Sequence, residues 1–396
     1  MKWRWKESKP LPKKYQVAVY YFPNYHHDPK NEVVHGSGWN EWELVREARP
    51  RYPEHSQPRI PLWGYENEAD PAVMAKKIAA AADHGVDVFL FDWYWYEQGP
   101  YLERGLEQGF LGAPNNQRLK FAIHWANHDW IDIHPASYYN CATNSHRILY
   151  PGAISWQNYE IMVQTVIERY FKHPSYWQVD GAPYFSIYDL PSFIRSFGGL
   201  QEAASALAYF RSRVRAAGFA DLHLNQVLWN LGVLPGEKAL LTDELCPRNP
   251  GEVLQELGFN SFTSYVWIHH VPLATFPETD YAYACQEYLR YWDLATSEIA
   301  LPYHPNATMG WDSSPRTIQS EAFENVGYPF TPCLAGNTPA RFKEALQLIK
   351  ERMERQNATI LTVNAWNEWT EGSYLEPDTV HGMGYLEAIR DVFAGT

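Results

Sequence analysis

The chain has 396 residues and a formal net charge of -13, with 16% aromatic residues, among them 17 Trp and 27 Tyr. So negative a balance excludes nucleic acid and anionic membrane as general partners. An α/β barrel with long loops reaches this length as one domain over residues 1–396, with a large core to bury.

In chain order, residues 1–15 form a polar, basic leader without the apolar stretch of a secretion signal. No run approaches a membrane span, so a cytoplasmic protein is expected. Gln16 to Tyr21 (QVAVYY) reads as the first strand. Phe22 to Asp70 carries too many Pro, His and Trp for a regular helix and reads as a long loop over the barrel mouth. Asp70 to His84 has an Asp cap, Pro at the first helical position and Gly85 at its stop, the clearest helix in the chain.

Val86 to Asp92 is then a buried parallel strand, and it delivers Asp92, Trp93, Tyr94 and Trp95 to its C-terminal end. Leu119 to Trp125 repeats the arrangement, Ser155 to Phe171 is an amphipathic helix, and Ala182 to Asp189 gives the fourth strand. A helix over Pro191 to Ala217 precedes LHLNQVLWN as the fifth. The sixth lies near Gly258 to Ser264, with Tyr265, Trp267, His269 and His270 beyond it. Asp280 to Ile299 is helical, Leu301 to Met309 is a poorly patterned seventh strand leading to GWDSSPR, and Ala340 to Arg355 is the last long helix. About eight strand and helix alternations predict a parallel sheet. No GxGxxG turn or P-loop follows a strand, and polar and aromatic residues gather at one end of nearly every strand. The fold class read from this is α/β, a (β/α)8 TIM barrel with long loops at its C-terminal face.

Cys141, Cys246, Cys285 and Cys333 are widely spaced and read as reduced core thiols rather than a zinc or disulfide framework. His26 and His27, with His269 and His270, raise the idea of a metal centre. No HExxH occurs, so hydrogen bonding to sugar hydroxyls or to the fold is the stronger expectation. Neither metal nor cofactor is expected. Asp312 either orients an acid or binds a hydroxyl, or starts a turn with Ser313 and Ser314. Arg316 reads as a surface or salt-bridge residue, or as an anchor for an anionic substrate group.

Ile360 to Asp378 reads ILTVNAWNEWTEGSYLEPD, a short strand buried on both faces followed by two acids three residues apart. Carboxyls whose surroundings push their pKa values apart can divide acid and base roles, and Trp366 and Trp369 could stack on sugar faces. Solvated loop charges over core tryptophans are the plain alternative. WNEWTEGSYLEP, with YYFPNYH near the N-terminus, resembles the WbsX family, long labelled glycosyltransferases, whose barrel is related to glycoside hydrolase family 99. That hydrolase family's Asn-Glu-Trp-x-Glu-Gly motif is matched by Asn367, Glu368, Trp369, Glu371 and Gly372.

The resemblance extends to Gly38, Glu41 and Trp42, to His55, Gln57 and Pro58, and to Trp125, Ala126, Asn127 and Trp130. WbsX relatives carry Glu where this chain has His128 and Asn where it has Asp129, and an Arg-rich continuation is replaced by Ile131 to His146. It implies a retaining route in which Glu368 acts as base on the sugar's own 2-hydroxyl, giving a 1,2-anhydro intermediate, and Glu371 serves the glycosidic oxygen as acid then base. Alpha-mannosides and alpha-rhamnosides suit that chemistry. The expected contacts to an oligo- or polysaccharide are Tyr21, Tyr25, His26, Glu41, Trp42, Asp92, Trp93, Trp95, Trp125, Asn127, Tyr265, Trp267, His269, Trp311, Asp312, Asn367 and Trp369. A glycosyltransferase and a non-catalytic sugar-binding barrel are the rival readings; no DxD-type motif supports the first, and a lectin needs no acid pair.

Overall fold

A computed structural model describes residues 14–229 and 249–394. The barrel strands are β1 Gln16–Tyr21, β2 Val88–Tyr96, β3 Lys120–Trp125, β4 Ala182–Ile187, β5 His223–Val227, β6 Ser261–Thr263, β7 in two pieces, Tyr303–His304 and Asn306–Thr308, and β8 Ile360–Asn364. They pair in parallel in sequence order, and β1 closes on β8 with Gln16 beside Ile360. The weak pattern of the seventh strand has a cause in Pro305. Proline has no N–H to give a ladder, so the piece before it pairs with β6 and the piece after it with β8. The Pro305 carbonyl still accepts from Thr362 N at 2.8 Å, and the barrel closes there.

The barrel interior is partly polar because several strands turn polar side chains inward. Ser186 donates to Asn225 at 3.1 Å, Asn225 to Ser261 at 2.9 Å, and Asn306 to Thr362 at 3.2 Å. Such groups stay buried because they satisfy one another.

The helix at Pro71–Asp83 begins as expected, Asp70 accepting from Ala72 N at 2.8 Å. The long helix expected over 191–217 is two, Leu190–Phe197 and Leu200–Ala216, broken where Gly198 turns to φ +86°. Such a left-handed C-cap is a glycine position. The long loop after β1 contains two short helices that were not expected. Pro29–His35 is capped by Asp28, which accepts from Lys30 N at 2.8 Å, and Trp42–Glu47 follows. A final helix, Gly384–Phe393, packs on Pro339–Gln356 and was also not foreseen.

Cys141, Cys285 and Cys333 are free and buried. Cys246, Asn230 at the end of the expected fifth strand, and most of the leader lie outside the described residues. No helix among the described residues is long and apolar enough to cross a membrane.

Candidate active site

At the C-terminal ends of the strands the loops enclose a cavity of about 440 Å³, with Glu368 and Glu371 on its wall. That is the size range of small-molecule clefts. The two acids arrive on a hairpin. Beyond β8, Asn367–Glu368 pairs antiparallel with Ser373–Tyr374, and the turn between them is Trp369–Glu371. Gly372 ends that turn at φ +63°, where a Cβ would lie 2.6 Å from Cβ of Asp312, so both conformation and space demand glycine.

Asn367 fastens the hairpin to the end of β1, accepting from Phe22 N at 2.8 Å and donating to Phe22 O at 2.7 Å. Behind it the indoles of Trp366 and Trp369 donate to the two oxygens of Glu376 at 2.9 and 2.8 Å. Glu376 and Glu68 flank Lys77 at 2.6 and 3.2 Å. Burial works against the Lys77 charge, yet Glu376 and Glu68 outweigh it and lift the ammonium pKa above its ordinary value.

Arg316 organises the floor. Its Nη1 lies 2.5 Å from Glu371, its Nη2 3.0 Å from Glu368 and its Nε 3.1 Å from Glu41. Tyr328 donates to Glu371 at 2.7 Å and touches the same Nη1. All three acids and the arginine are buried. Burial opposes the guanidinium charge, but Tyr328, Glu41, Glu371 and Glu368 hold its pKa well above the usual arginine value. Burial raises the Glu371 carboxyl against the pull of Arg316 and Tyr328. It raises Glu368 further, helped by repulsion from Glu371 and opposed by Arg316.

Asp92 from β2, His124 from β3 and Tyr265 beyond β6 line the same cavity. The Tyr265 hydroxyl lies 2.9 Å from Asp92 and 3.2 Å from Glu368. Burial pushes the Asp92 carboxyl well up and the imidazoles of His124 and His269 down to about 3. His128 and His134, also on the wall, are lowered by burial too. Tyr188 and Trp229 stack at 4.6 Å and 11° and give the cavity a flat aromatic face.

Of the expected contacts, Asp92, Tyr265, His269 and Trp311 line this cavity with the two catalytic candidates. The others do not, and all but His26 have a structural partner. The Tyr21 hydroxyl donates to Glu68 at 2.9 Å, and that of Tyr25 accepts from Trp369 N at 3.1 Å. Trp42 donates to Glu66 O at 2.9 Å, and Trp93 stacks on Trp95, which donates to Asn158 at 2.5 Å. Trp125 is fully buried, Asn127 exchanges hydrogen bonds with the Asp189 backbone, and Trp267 donates to Asn306 O at 3.0 Å. His26 lies against a separate small cavity beside Arg46 and Asn67. Glu41 and Asn367 stand behind the acids. Trp366 and Trp369 are buried with their N–H groups committed to Glu376 and do not line the cavity, whereas Tyr188 and Trp229 are among the aromatic residues that do.

Asp312 starts the local turn, accepting from Ser314 N at 3.1 Å, and takes His55 at 2.8 Å and Gln57 at 2.6 Å on its other oxygen. Burial opposes that charge, but the hydrogen bonds from His55, Ser314 and Gln57 hold the carboxyl below the usual carboxylate range. His55, Asp312 and Cys333 bring three ligand types within 4.8 Å of one another. The Arg51 backbone N–H donates to Nδ1 of His55 at 3.1 Å, so the ring hydrogen sits on Nε2 and points at Asp312. A metal ligated by Nε2 needs that hydrogen on Nδ1 instead. The tautomer therefore fits a hydrogen-bonded cluster rather than a metal centre.

Sequence reasoning did not find Arg316 as the common partner of both acids, although a salt-bridge role was among its readings. It also missed Tyr328, Tyr188, Trp229 and the Lys77 cluster. Position offered one signal: Arg316 and Trp229 both follow barrel strands, where loops carry function.

The family model described as Glycosyltransferase WbsX matches residues 17–389. The uncharacterized protein WxcX from two strains of Xanthomonas campestris pv. campestris is 25% identical over 382 residues and 26% over 383. Each match covers 94% of this chain and 49% of WxcX, so the chain spans about half the length of the curated relatives it matches. Among solved structures, the GH99 endo-alpha-mannosidase from Bacteroides thetaiotaomicron superposes with a TM-score of 0.52 at 14% identity, covering 95% of this chain and 96% of that one. A glycoside hydrolase-like protein superposes at 0.57 with 13% identity and 97% coverage of both chains. At such identities the likeness is one of fold.

Proposed function

We propose that this chain, which belongs to the glycosyltransferase WbsX family, is a glycoside hydrolase that cleaves alpha-linked mannosyl or rhamnosyl glycans with retention. The observation that carries the reading is the pair Glu368 and Glu371, buried on one cavity wall and held by neighbouring nitrogens of a single guanidinium. Burial raises both carboxyls and Glu371 opposes ionisation of Glu368, so the pair tends to keep one proton. An acid and a base side by side are what glycosidic cleavage requires.

In the proposed route the sugar's 2-hydroxyl meets Glu368 and the glycosidic oxygen meets Glu371. Glu368 takes the hydroxyl proton as that oxygen closes on the anomeric carbon, and Glu371 gives its proton to the departing oxygen. Glu371 then deprotonates a water that opens the 1,2-anhydro ring, while Glu368 returns its proton. Arg316 orients both acids through two separate N–H groups. Tyr188 and Trp229 supply a stacking face for a neighbouring sugar.

The test is turnover of a panel of alpha-mannosyl and alpha-rhamnosyl oligosaccharides by wild type and Glu371→Gln, with the released anomer followed by NMR. Retained configuration, lost in the variant, is expected; inverted product keeps the enzyme and discards the route. The family's description favours a second reading, transfer from a nucleotide sugar. Tight nucleotide-sugar binding by calorimetry, with no glycan cleaved, would select it.

A further inference from the structure

Tyr265 stands between two carboxyls, 2.9 Å from Oδ2 of Asp92 and 3.2 Å from Oε1 of Glu368, and all three residues are buried. A phenol has one hydrogen to donate, and an ionised carboxylate can only accept. Were both acids ionised, one of them would face the phenol oxygen lone pair to lone pair. Sharing the single hydrogen would still leave a buried Asp92 charge with no cation in contact among the described residues. The string Asp92–Tyr265–Glu368 therefore carries one proton beyond the phenol's own.

The remaining oxygens decide where it rests. Oε2 of Glu368 accepts from Arg316 at 3.0 Å, a contact that stabilises charge. Oδ1 of Asp92 has no hydrogen-bond partner among the described residues, and its neighbour Nε2 of His124 is 4.0 Å away. That imidazole is held neutral by burial, with Nδ1 placed 3.1 Å from Ser186 Oγ, so it offers Asp92 no positive charge. The other groups acting on Asp92 and its string are Tyr20 from β1, Tyr94 from β2, Tyr188 beyond β4, Arg316 beyond β7, Glu371 beside Glu368, and Glu41 and Tyr25 on the Glu368 side. Arg316, the cation in that set, is committed to Glu41, Glu368 and Glu371.

We propose that Asp92 is a positioning residue that holds this proton as a neutral carboxylic acid, donating to Tyr265 so that Tyr265 donates to Glu368 and keeps it ionised. This extends the proposed function by giving Glu368 its base form, but the protonation claim stands apart from any substrate.

Carbon-13 NMR of the full chain, labelled at aspartate side-chain carboxyls, tests it. The Asp92 resonance is the one missing from Asp92→Asn; should that variant not fold, Tyr265→Phe identifies it as the resonance that moves. At neutral pH the signal is expected at the shift of a protonated carboxyl, and a carboxylate shift there overturns the inference. On any glycan that turns over, Asp92→Asn can still donate to Tyr265 and is expected to retain roughly tenfold more kcat than Asp92→Leu. Equal losses would count against the proposal. If no glycan is cleaved, the hydrolase reading fails by itself and the resonance still decides the proton's place.

Discussion

Nη1 of Arg316 and Oε1 of Glu371 meet at 2.5 Å inside the barrel mouth. The same guanidinium also serves Glu368 and Glu41, so one positive charge answers three buried carboxyls. This imbalance opposes full ionisation of the three acids and makes the site costly to the fold.

Removing the cation exposes that cost. Arg316→Met is expected to destabilise the protein by about 3–5 kcal/mol at neutral pH, the usual penalty for stranding buried charges. Without the guanidinium the carboxyl pKa values rise further. A group with a raised folded pKa contributes fully below its unfolded pKa and loses that contribution as pH rises. The deficit should therefore shrink at mildly acidic pH in urea titrations; an equal deficit at both pH values would mean that lost packing, not charge, explains it.

Glu368→Gln is expected to act in the opposite sense. Burial first, then repulsion from Glu371, raises the Glu368 carboxyl, so its ionisation works against the folded state at every pH above the ordinary glutamate range. Relative to wild type the amide should gain stability as pH rises through and above the ordinary glutamate range, and change little below it, while activity is lost. Thermal denaturation across that range reads the difference directly. A gain independent of pH would contradict the charge argument.

The barrel was legible because buried parallel strands announce themselves as short apolar runs between amphipathic helices, and QVAVYY and ILTVN lie where those runs do. The acid pair was legible because its spacing and flanking residues are local. Partners brought in from distant segments were not: Glu41 and Arg316 are far apart in sequence, yet share an ion pair at 3.0 Å. The tryptophans misled for a related reason. A Trp in a loop after a strand has the same local signature whether its indole N–H faces a sugar or, as in Trp366 and Trp369, a buried Glu376.

Lys77, on the helix Pro71–Asp83, supports the hairpin that carries Glu368 and Glu371 without lining the cavity. Lys77→Met leaves Glu68 and Glu376 buried without their cation and loosens the acceptors that hold Asn367, Trp366 and Trp369. A loss of about 3–5 kcal/mol is expected at neutral pH, with reduced turnover in the folded fraction. Lys77→Arg tests whether charge alone is enough; in a pocket shaped for an ammonium the larger fork should restore only part of the stability.

Gly372 and Gly382 separate conformational cost from steric cost. Both have positive φ, +63° and +56°, but a Cβ at Gly382 meets nothing within 4 Å, whereas one at Gly372 meets Asp312 backbone and side chain from 2.6 Å outward. Gly382→Ala should show the conformational term alone, about 1 kcal/mol. Gly372→Ala adds a clash with backbone that cannot rotate away, and relieving it displaces the adjoining Glu371. Stability should fall by clearly more than in Gly382→Ala, and kcat by up to about 100-fold, the scale expected of an ångström's misplacement. Equal stabilities for the two variants, with activity intact in Gly372→Ala, would show that the hairpin adjusts without moving its acid.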